Sequence, residues 1–336
     1  MKKKMKKILA CLALLAIVST SSASFAAGDY KRAPKQRVVL NLAAGGTSGS
    51  WYSVFASIAE IVNKDKNCNI TLKVVPGGGT SNPAVVGMGQ ADLGLLYGSF
   101  GLAARKGANP YDTKYEDLYA VTGGFLPMSL EISALKKSNF TSFKEAICGQ
   151  RSARFLTGIK STSTGWYFDR ILEFYQTDAN SIKKRGGSIT NVEYGDWPQM
   201  ATDGHIDMMF NHIGIPSSIL KEISTAREVV LIDMPEELIQ YFQKNHAMQK
   251  VTVPAGTYNF QKKDIVTVCS PTILAVNKKV SADAVYTLLE VLEKYEKDVR
   301  KIHPAMGKFS IAQSVQSAAL PLHEGAKAFF KDRGIQ

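Results

Sequence analysis

The chain has 336 residues, of which 45% are hydrophobic and 21% are charged, and its formal net charge is +12. This length is sufficient for two ordinary domains with their own cores, so disulfide bonds are not needed for folding. The lysines and arginines are scattered and accompany no recognised binding motif, which argues against nucleic acid as a partner.

The N-terminus has the pattern of a signal peptide. The basic stretch MKKKMKK precedes the apolar run ILACLALLAIV, and Ser24-Phe25-Ala26 fits a cleavage site after Ala26. This run is too short to span a bilayer comfortably, and no later segment is apolar enough to do so. Residues 1–26 are therefore assigned to a signal peptide that takes five lysines with it, and a mature chain of net charge +7 is expected in the periplasm.

Short β-branched runs then alternate with longer helical patterns, which predicts an α/β fold with parallel strands. In the first part of the chain the predicted strands are Val38–Ala44, Ile70–Val75, Leu93–Tyr97 and Tyr119–Gly123, and the predicted helices are Ser50–Asn63 and Pro83–Gly89.

A second set of elements follows with the same alternation. Its predicted strands are Arg154–Thr157, Asn191–Tyr194, Asp207–Phe210 and Val229–Asp233, and the last stretch adds a strand at Ile265–Val276 and helices at Ala282–Arg300 and Gly325–Arg333. A return of the C-terminal segment to the first set is the simplest topology. It predicts lobe 1 from residues 27–128 and 270–336, lobe 2 from residues 129–269, and a hinge at the two crossings beside a central cleft.

One pattern occurs twice, at residues 38–62 and 154–175. In each copy a strand-like run leads through a Ser/Thr/Gly turn into a Trp-Tyr pair that opens a helix. The first turn of a helix has unpaired N–H groups and the positive end of the helix dipole, so each copy is predicted to bind an anion such as a carboxylate. A Gly-x-x-Asp follows each copy, and Asp92 and Asp207 in these segments are interpreted as turn or capping groups.

The sequence motifs give little support for catalysis or for metal binding. The segment GTSGS at residues 46–50 fails the Gly-x-Ser-x-Gly pattern of a nucleophile elbow, and GGGTSN lacks the lysine of a phosphate-binding loop. The five histidines lack the spacing of metal ligands. We therefore expect no catalytic residue, metal or cofactor. The three cysteines beyond the leader, Cys68, Cys148 and Cys269, allow one disulfide whose pair the sequence does not choose.

Several motifs together resemble the solute receptors of tripartite ATP-independent periplasmic (TRAP) transporters, specifically the TAXI subfamily, over nearly all of the mature chain. They are GGTSGSWY at 45–52, GGGTSN at 77–82, GQADL at 89–93, GIPSS at 214–218, PAGTY at 254–258, HP at 303–304 and PLHEGA at 321–326. The resemblance implies a type II periplasmic-binding-protein fold, in which a solute binds between two lobes. It also implies delivery of that solute to integral membrane permease subunits driven by an ion gradient.

The resemblance further suggests a small carboxylate solute, either a dicarboxylate such as 2-oxoglutarate or a glutamate-like amino acid, and the receptor is expected to be monomeric. Helix-start hydroxyls, polar residues at strand ends and positions in the matched motifs give the predicted ligand-binding residues: Thr47, Ser48, Tyr52, Asn82, Tyr97, Thr162, Ser163, Thr164, Asn211 and Tyr258. Each helix-start hydroxyl has a competing interpretation as a cap, and Trp51 and Trp166 are interpreted as packing residues.

Two alternatives remain open from the sequence. One is an exported binding protein with a sensory role, and the other is an exported hydrolase on the same fold that uses Ser48 or Ser163.

Overall fold

The structure is a computed structural model that describes residues 30–160 and 162–335. The predicted signal peptide lies outside the described residues. The strands are β1 (Val38–Ala43), β2 (Ile70–Val75), β3 (Leu93–Tyr97), β4 (Leu118–Leu135), β5 (Arg154–Thr157), β6 (Ser188–Asn191), β7 (Met208–Gly214), β8 (Val229–Leu231), β9 (Gln249–Val253) and β10 (Ile265–Asn277).

The helices are α1 (Ser50–Lys64), α2 (Asn82–Gly87), α3 (Gly98–Lys106), α4 (Phe143–Cys148), α5 (Ser163–Phe174), α6 (Ala179–Lys184), α7 (Trp197–Asp203), α8 (Ser218–Ala226), α9 (Glu236–His246), α10 (Ala282–Lys294), α11 (Glu296–Lys301), α12 (Ile311–Ser314) and α13 (Glu324–Asp332). No helix among the described residues is long and apolar enough to cross a membrane.

All the strands belong to one sheet with the order β2-β1-β3-β10-β4-β7-β5-β6, while β8 pairs with β4 and β9 with β10. The outer strands pair in parallel, β1 with β2 and β3, and β5 with β6 and β7. In the middle, β10 is antiparallel to β3 and β4, and β4 is antiparallel to β7. The predicted α/β class is confirmed, with parallel pairing confined to each side of an antiparallel centre.

The two central strands β4 and β10 are the long ones, and they connect the two sides of the sheet. Across this pair Ser129 lies opposite Cys269 and Met128 lies opposite Ser270, and the register shifts between Ser270 and Thr272. The lobe boundaries predicted at 128/129 and 269/270 thus fall at adjacent positions of neighbouring strands. The division into two lobes stays a prediction.

Some predicted boundaries were wrong. The strand expected at Asn191–Tyr194 ends at Asn191, and Tyr194–Asp196 forms a short 3₁₀ turn instead. Pro198 lies in the first turn of α7, a position that suits proline. The 3₁₀ turn at Tyr194–Asp196 leads directly into this helix, so the strand has ended before Tyr194. The helix expected to run to Arg300 ends at Lys294, where Lys294 and Tyr295 both donate to the buried carboxylate of Asp65.

The repeated Gly-x-x-Asp segments have the same role in both halves. Asp92 accepts a hydrogen bond from the N–H of Asn41 at 2.9 Å, and Asp207 accepts one from the N–H of Arg154 at 2.9 Å. Each aspartate thereby joins the start of one strand to its parallel neighbour. Their interpretation as turn or capping groups is confirmed.

The cysteines in the described part of the chain are free. Cys68 and Cys269 are buried, whereas Cys148 is exposed at the end of α4. No disulfide pair is formed among them.

Candidate functional site

A narrow cleft lies between the two sides of the sheet, where residues from both predicted lobes meet. Its volume is about 40 Å³, enough for a few water molecules and well below the roughly 300 Å³ at which ligand pockets begin. The cleft is therefore closed in this structure. Its lining residues are Gly45, Gly46, Gly49, Ser50, Trp51, Gly77, Gly78, Gly79, Tyr97, Met128, Thr162, Ser163, Tyr194, His212 and Ile213.

The start of α1 forms one side of the cleft. Gly49 precedes the helix with extended backbone and no side-chain cap, and the first turn contains no acidic residue. The N–H groups of the first turn, beginning at Ser50, consequently have no acidic residue within that turn to neutralise the positive end of the helix. This side of the cleft can accept a negative charge from a ligand.

The start of α5 faces it from the other side. The Thr162 hydroxyl donates to the carbonyl of Ile159 at 2.7 Å and accepts from the N–H of Gly165 at 3.4 Å, so Thr162 caps the helix while also lining the cleft. Ser163 is buried, and its hydroxyl donates to the hydroxyl of Tyr97 at 3.5 Å. Two helix N-termini, one from each predicted lobe, thus converge on one small space.

A glycine-rich loop after β2 completes the first side. Its close approach requires glycine at position 79, because a β-carbon there would lie 2.5 Å from Cε2 of Tyr97 and 3.3 Å from Cβ of Ser163. Asn82 holds this loop in place, since its Oδ1 accepts from the N–H of Gly78 at 2.9 Å. Asn82 itself is fully buried and does not line the cleft.

Aromatic rings form the floor. Tyr97 contacts Trp51 with ring centroids 4.6 Å apart and His212 with centroids 4.5 Å apart. The Trp51 indole donates to the Thr272 hydroxyl at 2.7 Å, which fixes the ring against β10. Burial raises the pKa of Tyr97 well above its ordinary value, so its hydroxyl stays protonated. Trp51 therefore packs, as predicted, and also lines the cleft.

His212 projects from β7 beside Tyr97. Its Nε2 lies 3.0 Å from the carbonyl oxygen of Met128, and its backbone N–H donates to the Thr164 hydroxyl at 3.1 Å. Burial lowers the pKa of His212 to about 3, and the hydrogen bond to Met128 offsets this only in part. The ring is neutral at any physiological pH.

Three predicted ligand-binding residues line the cleft, namely Tyr97, Thr162 and Ser163. Thr164 lies directly behind them, where its hydroxyl is hydrogen-bonded to the hydroxyl of Tyr194. Thr164 thus positions two cleft residues, Tyr194 and His212, and does not face the space itself.

The other predicted residues from the first copy of the repeated pattern lie at the edge of the cleft or outside it. Thr47 and Ser48 are exposed, and a β-carbon added at Gly195 would lie 3.4 Å from the Ser48 hydroxyl oxygen. Ser48 therefore belongs to the mouth, where the lobes touch. Tyr52 is half-buried against the core and does not line the cleft.

Asn211 and Tyr258 lie away from the cleft, in a second buried cluster around Glu131. The Tyr258 hydroxyl donates to the Glu131 carboxylate and accepts from the N–H of Ser217 at 2.7 Å. Asn211 lies opposite Glu131 across the β4–β7 pair. Tyr258, like Asn82, hydrogen-bonds the backbone, and neither Tyr258 nor Asn211 lines the cleft.

Sequence reasoning missed several lining residues. The glycines at positions 45–49 and 77–79 that line the cleft lie within the motifs quoted above. They were missed because the prediction considered only side chains as ligand-binding groups. Tyr194 follows a strand and carried only a weak signal. His212 was considered only as a metal ligand, and its place in the apolar run MMFNHIG gave no indication of a binding role.

The cleft has little charge of its own. Among the described residues that line it there is no lysine, arginine, aspartate or glutamate. The described residues also contain no group of three histidine, cysteine or acidic side chains that could hold a metal ion. What the cleft offers is hydroxyl groups, a neutral imidazole and backbone N–H groups at two helix starts.

An α/β sheet of this kind is also found in solved structures of periplasmic proteins. The chain belongs to the NMT1-like family, whose model matches residues 42–334.

Solved structures agree on the fold. MatC from Rhodopseudomonas palustris, determined with bound malate, is similar with a TM-score of 0.55 at 13% identity, covering 90% of this chain and 97% of that one. A structure described as a periplasmic transporter is similar with a TM-score of 0.50 at 12% identity, covering 89% and 93%. At these identities the likeness extends to the fold alone.

Proposed function

We propose that this protein is an exported solute receptor that captures a small organic carboxylate between its two lobes. The observation that carries the proposal is the convergence of the starts of α1 and α5 on one cleft without any acidic side chain in the described lining. Helix starts present several N–H groups and a positive dipole end, and carboxylates are the anions that small metabolites commonly carry.

The mechanism is capture by closure. In the open form each lobe offers one helix start, and only the closed form brings both to the same ligand. A solute that contacts both lobes therefore shifts the hinge equilibrium toward the closed form. The small volume of the cleft in the closed form limits the solute to a few carbon atoms or requires the lobes to close less tightly around it.

The finer assignment rests on motifs. The order of GGTSGSWY, GGGTSN, GQADL, GIPSS, PAGTY and PLHEGA favours the TAXI subfamily of receptors for TRAP transporters. On that assignment the closed receptor docks on an integral membrane permease driven by an ion gradient. The resemblance by itself suggests dicarboxylates such as 2-oxoglutarate and acidic amino acids such as glutamate as solutes.

A hydrolase on this fold is disfavoured by the site. Ser163 donates to Tyr97 and has no histidine partner, and Ser48 is exposed at the mouth. His212 in turn has its Nε2 on a backbone carbonyl. Nothing here prepares a serine for nucleophilic attack.

Binding can be tested by isothermal titration of the mature chain, refolded to remove any bound solute, against dicarboxylates, amino acids and neutral sugars. We expect saturable one-to-one binding of a carboxylate without turnover. Ser163→Leu should abolish it by filling the cleft. Ser218→Leu changes the equivalent first residue of α8, which is exposed and outside the cleft, and should bind as wild type does.

Binding of neutral compounds alone would overturn the proposal, as would equal binding by the two leucine variants. Turnover of the bound compound would favour the hydrolase.

A further inference from the structure

We propose that His212 recognises a hydroxyl group on the solute, and that the solute is a small 2-hydroxycarboxylate. This inference rests on the proposed function, because it assumes that the cleft binds a carboxylate. It adds the chemical identity of the group next to that carboxylate.

The first step is the tautomer of His212. A backbone carbonyl can only accept, so the 3.0 Å contact with the oxygen of Met128 requires the proton on Nε2. The ring is neutral, as its lowered pKa requires. It follows that Nδ1 carries a lone pair and is a hydrogen-bond acceptor.

The second step is that this acceptor is unused. Within the described part of the chain, Nδ1 of His212 is buried and has no hydrogen-bond partner. The residue is only 2% exposed, so solvent does not reach it in the closed form. Buried polar atoms are nearly always paired, and an unpaired one at a binding site is best explained by a group that arrives with the ligand.

The third step is that the ring cannot easily turn to find another partner. It lies against Tyr97 on one side and Tyr167 on the other, with centroids 4.5 and 5.0 Å away. The adjacent backbone N–H is held by Thr164. Because the ring is held between these two tyrosines and His212 lines the cleft, a donor on the solute can supply the partner of Nδ1.

The fourth step distinguishes a hydroxyl from an ammonium group. Burying an ammonium requires an anionic partner, and the described lining contains none. A β-carbon at Gly46 would lie 3.6 Å from Oε2 of Glu193, but Glu193 is exposed at the mouth. Two positive helix ends also repel a cation. A hydroxyl group is neutral and needs only the one acceptor that His212 provides. A 2-oxo group has no proton to donate, so it cannot pair with Nδ1.

The test uses two sets of acids that differ only at the second carbon: malate, succinate and aspartate, and lactate, propionate and alanine. Titration calorimetry on the mature wild-type chain needs no variant. We expect a hydroxy acid to bind roughly ten- to hundredfold more tightly than its deoxy analogue, since an unpaired buried acceptor is left when the hydroxyl is absent. The amino acids should bind more weakly than the hydroxy acid.

A variant then assigns the preference to His212. His212→Gln can still donate to the Met128 carbonyl but lacks the acceptor at the Nδ1 position, so the hydroxyl preference should fall below about threefold while binding of the deoxy acid persists. His205→Gln is the matched control, because His205 is exposed and outside the cleft. It should retain the full preference.

The outcomes separate the two proposals. Binding of hydroxy and deoxy acids with equal affinity would overturn the role of His212 and leave the carboxylate receptor intact. Tightest binding of aspartate or alanine would overturn the hydroxyl assignment. If none of the six acids nor any other carboxylate binds, the proposed function itself is wrong.

Discussion

Asn82 shows how one buried amide can organise a loop that lines the cleft without lining the cleft itself. Its Nδ2 lies within hydrogen-bonding distance of the carbonyls of Ala43, Ala44 and Leu95, at 3.0, 2.7 and 2.7 Å, and its Oδ1 accepts from Gly78. These contacts join the ends of β1 and β3 to the glycine loop. The side chain therefore fixes the backbone that lines the cleft.

Replacing Asn82 by alanine should lower the free energy of unfolding by about 3 kcal/mol, because several buried main-chain groups lose their partner at once. Urea unfolding followed by circular dichroism measures this. Asn180→Ala serves as the control, since Asn180 is exposed on α6 and should change stability by less than about 0.5 kcal/mol. A cost for Asn82→Ala no larger than that of the control would show that these hydrogen bonds contribute little.

Glu131 is a buried carboxyl group on β4 whose ionisation should affect stability. Burial raises its pKa from an ordinary 4.5 to about 7, and the hydrogen bonds from Tyr258 and Ser217 lower it only in part. A raised pKa in the folded state means that the protonated form favours folding. Stability from this group is therefore fully present below about pH 4.5 and is lost as the pH rises through about 7.

The variant Glu131→Gln removes this titration. Between pH 5 and pH 8 the wild type should lose up to about 3 kcal/mol of unfolding free energy relative to Glu131→Gln. Urea unfolding of both proteins at several pH values gives the difference directly. A difference that does not change with pH, or that changes in the opposite sense, would contradict the raised pKa.

These residues also show what the sequence could and could not predict. Thr162 and Ser163 were found because helix starts have a local signature in hydroxyl residues. His212 and Glu131 lie inside apolar strands, and their roles depend on partners such as Met128 and Tyr258 that are far away in sequence. Asn82 was predicted to bind the solute, but only its tertiary contacts show that it hydrogen-bonds the backbone behind the cleft.

At the level of elements, the internal repeat explains why most of the strand positions in the two halves were predicted correctly. Strand, turn, helix and a later capping aspartate recur in both halves, and the strand positions β1, β2, β3 and β5 were predicted within one residue. Such strands are short runs rich in apolar and β-branched residues, which gives them a strong local pattern. The errors include β4, which was predicted to end at Gly123 and runs on to Leu135. Others fall at β6 and after α10, where a proline in a helix start and a buried ion pair redirect the chain.

The two capping aspartates are equivalent in position but differ in environment. Asp207 also receives hydrogen bonds from the Arg154 guanidinium at 3.0 and 2.8 Å, and its side chain is 12% exposed. Burial alone would raise the pKa of Asp207, but the interactions with Arg154 outweigh it and lower the pKa. Asp92 accepts a backbone hydrogen bond from Asn41 in an exposed setting.

Removing each carboxylate should therefore have unequal effects. Asp207→Ala is expected to cost about 2–3 kcal/mol of unfolding free energy and Asp92→Ala about 1 kcal/mol. The Asp207 contribution should disappear as the pH falls below about 4, because its pKa is lowered in the folded state. Urea unfolding at pH 7 and at about pH 2, below the ordinary pKa of an aspartate, checks both statements, and equal costs at pH 7 would show that Arg154 adds nothing.

At the level of the whole molecule, the closed cleft follows from contacts between the predicted lobes. Phe100 on α3 contacts Trp166 and Tyr167 on α5 with ring centroids 4.9 and 5.7 Å apart, and Tyr97 contacts His212. The sequence predicted two lobes because the repeat and the returning C-terminal segment are visible in it. The degree of closure was not predictable, since it depends on aromatic contacts between residues distant in the chain.

Closure can be tested without knowing the solute. Ser48 and Gly195 face each other at the mouth, where a β-carbon on Gly195 would lie 3.4 Å from the Ser48 hydroxyl oxygen. The two positions are therefore close enough to test for a disulfide, which requires β-carbons about 3.5–4.5 Å apart. Ser48→Cys with Gly195→Cys, made in a Cys148→Ser background to remove the exposed thiol, should form a disulfide under mild oxidation.

Ser57→Cys with Gly195→Cys is the control pair, because Ser57 lies roughly 10 Å further along α1 by helix rise. We expect rapid cross-linking of the Ser48 pair and slow cross-linking of the Ser57 pair, measured by non-reducing electrophoresis and intact mass. The cross-linked protein should fail to take up added solute until the disulfide is reduced, because its mouth cannot open. Equal cross-linking of both pairs, or full solute uptake by the cross-linked protein, would mean that this mouth is not the entrance to the site.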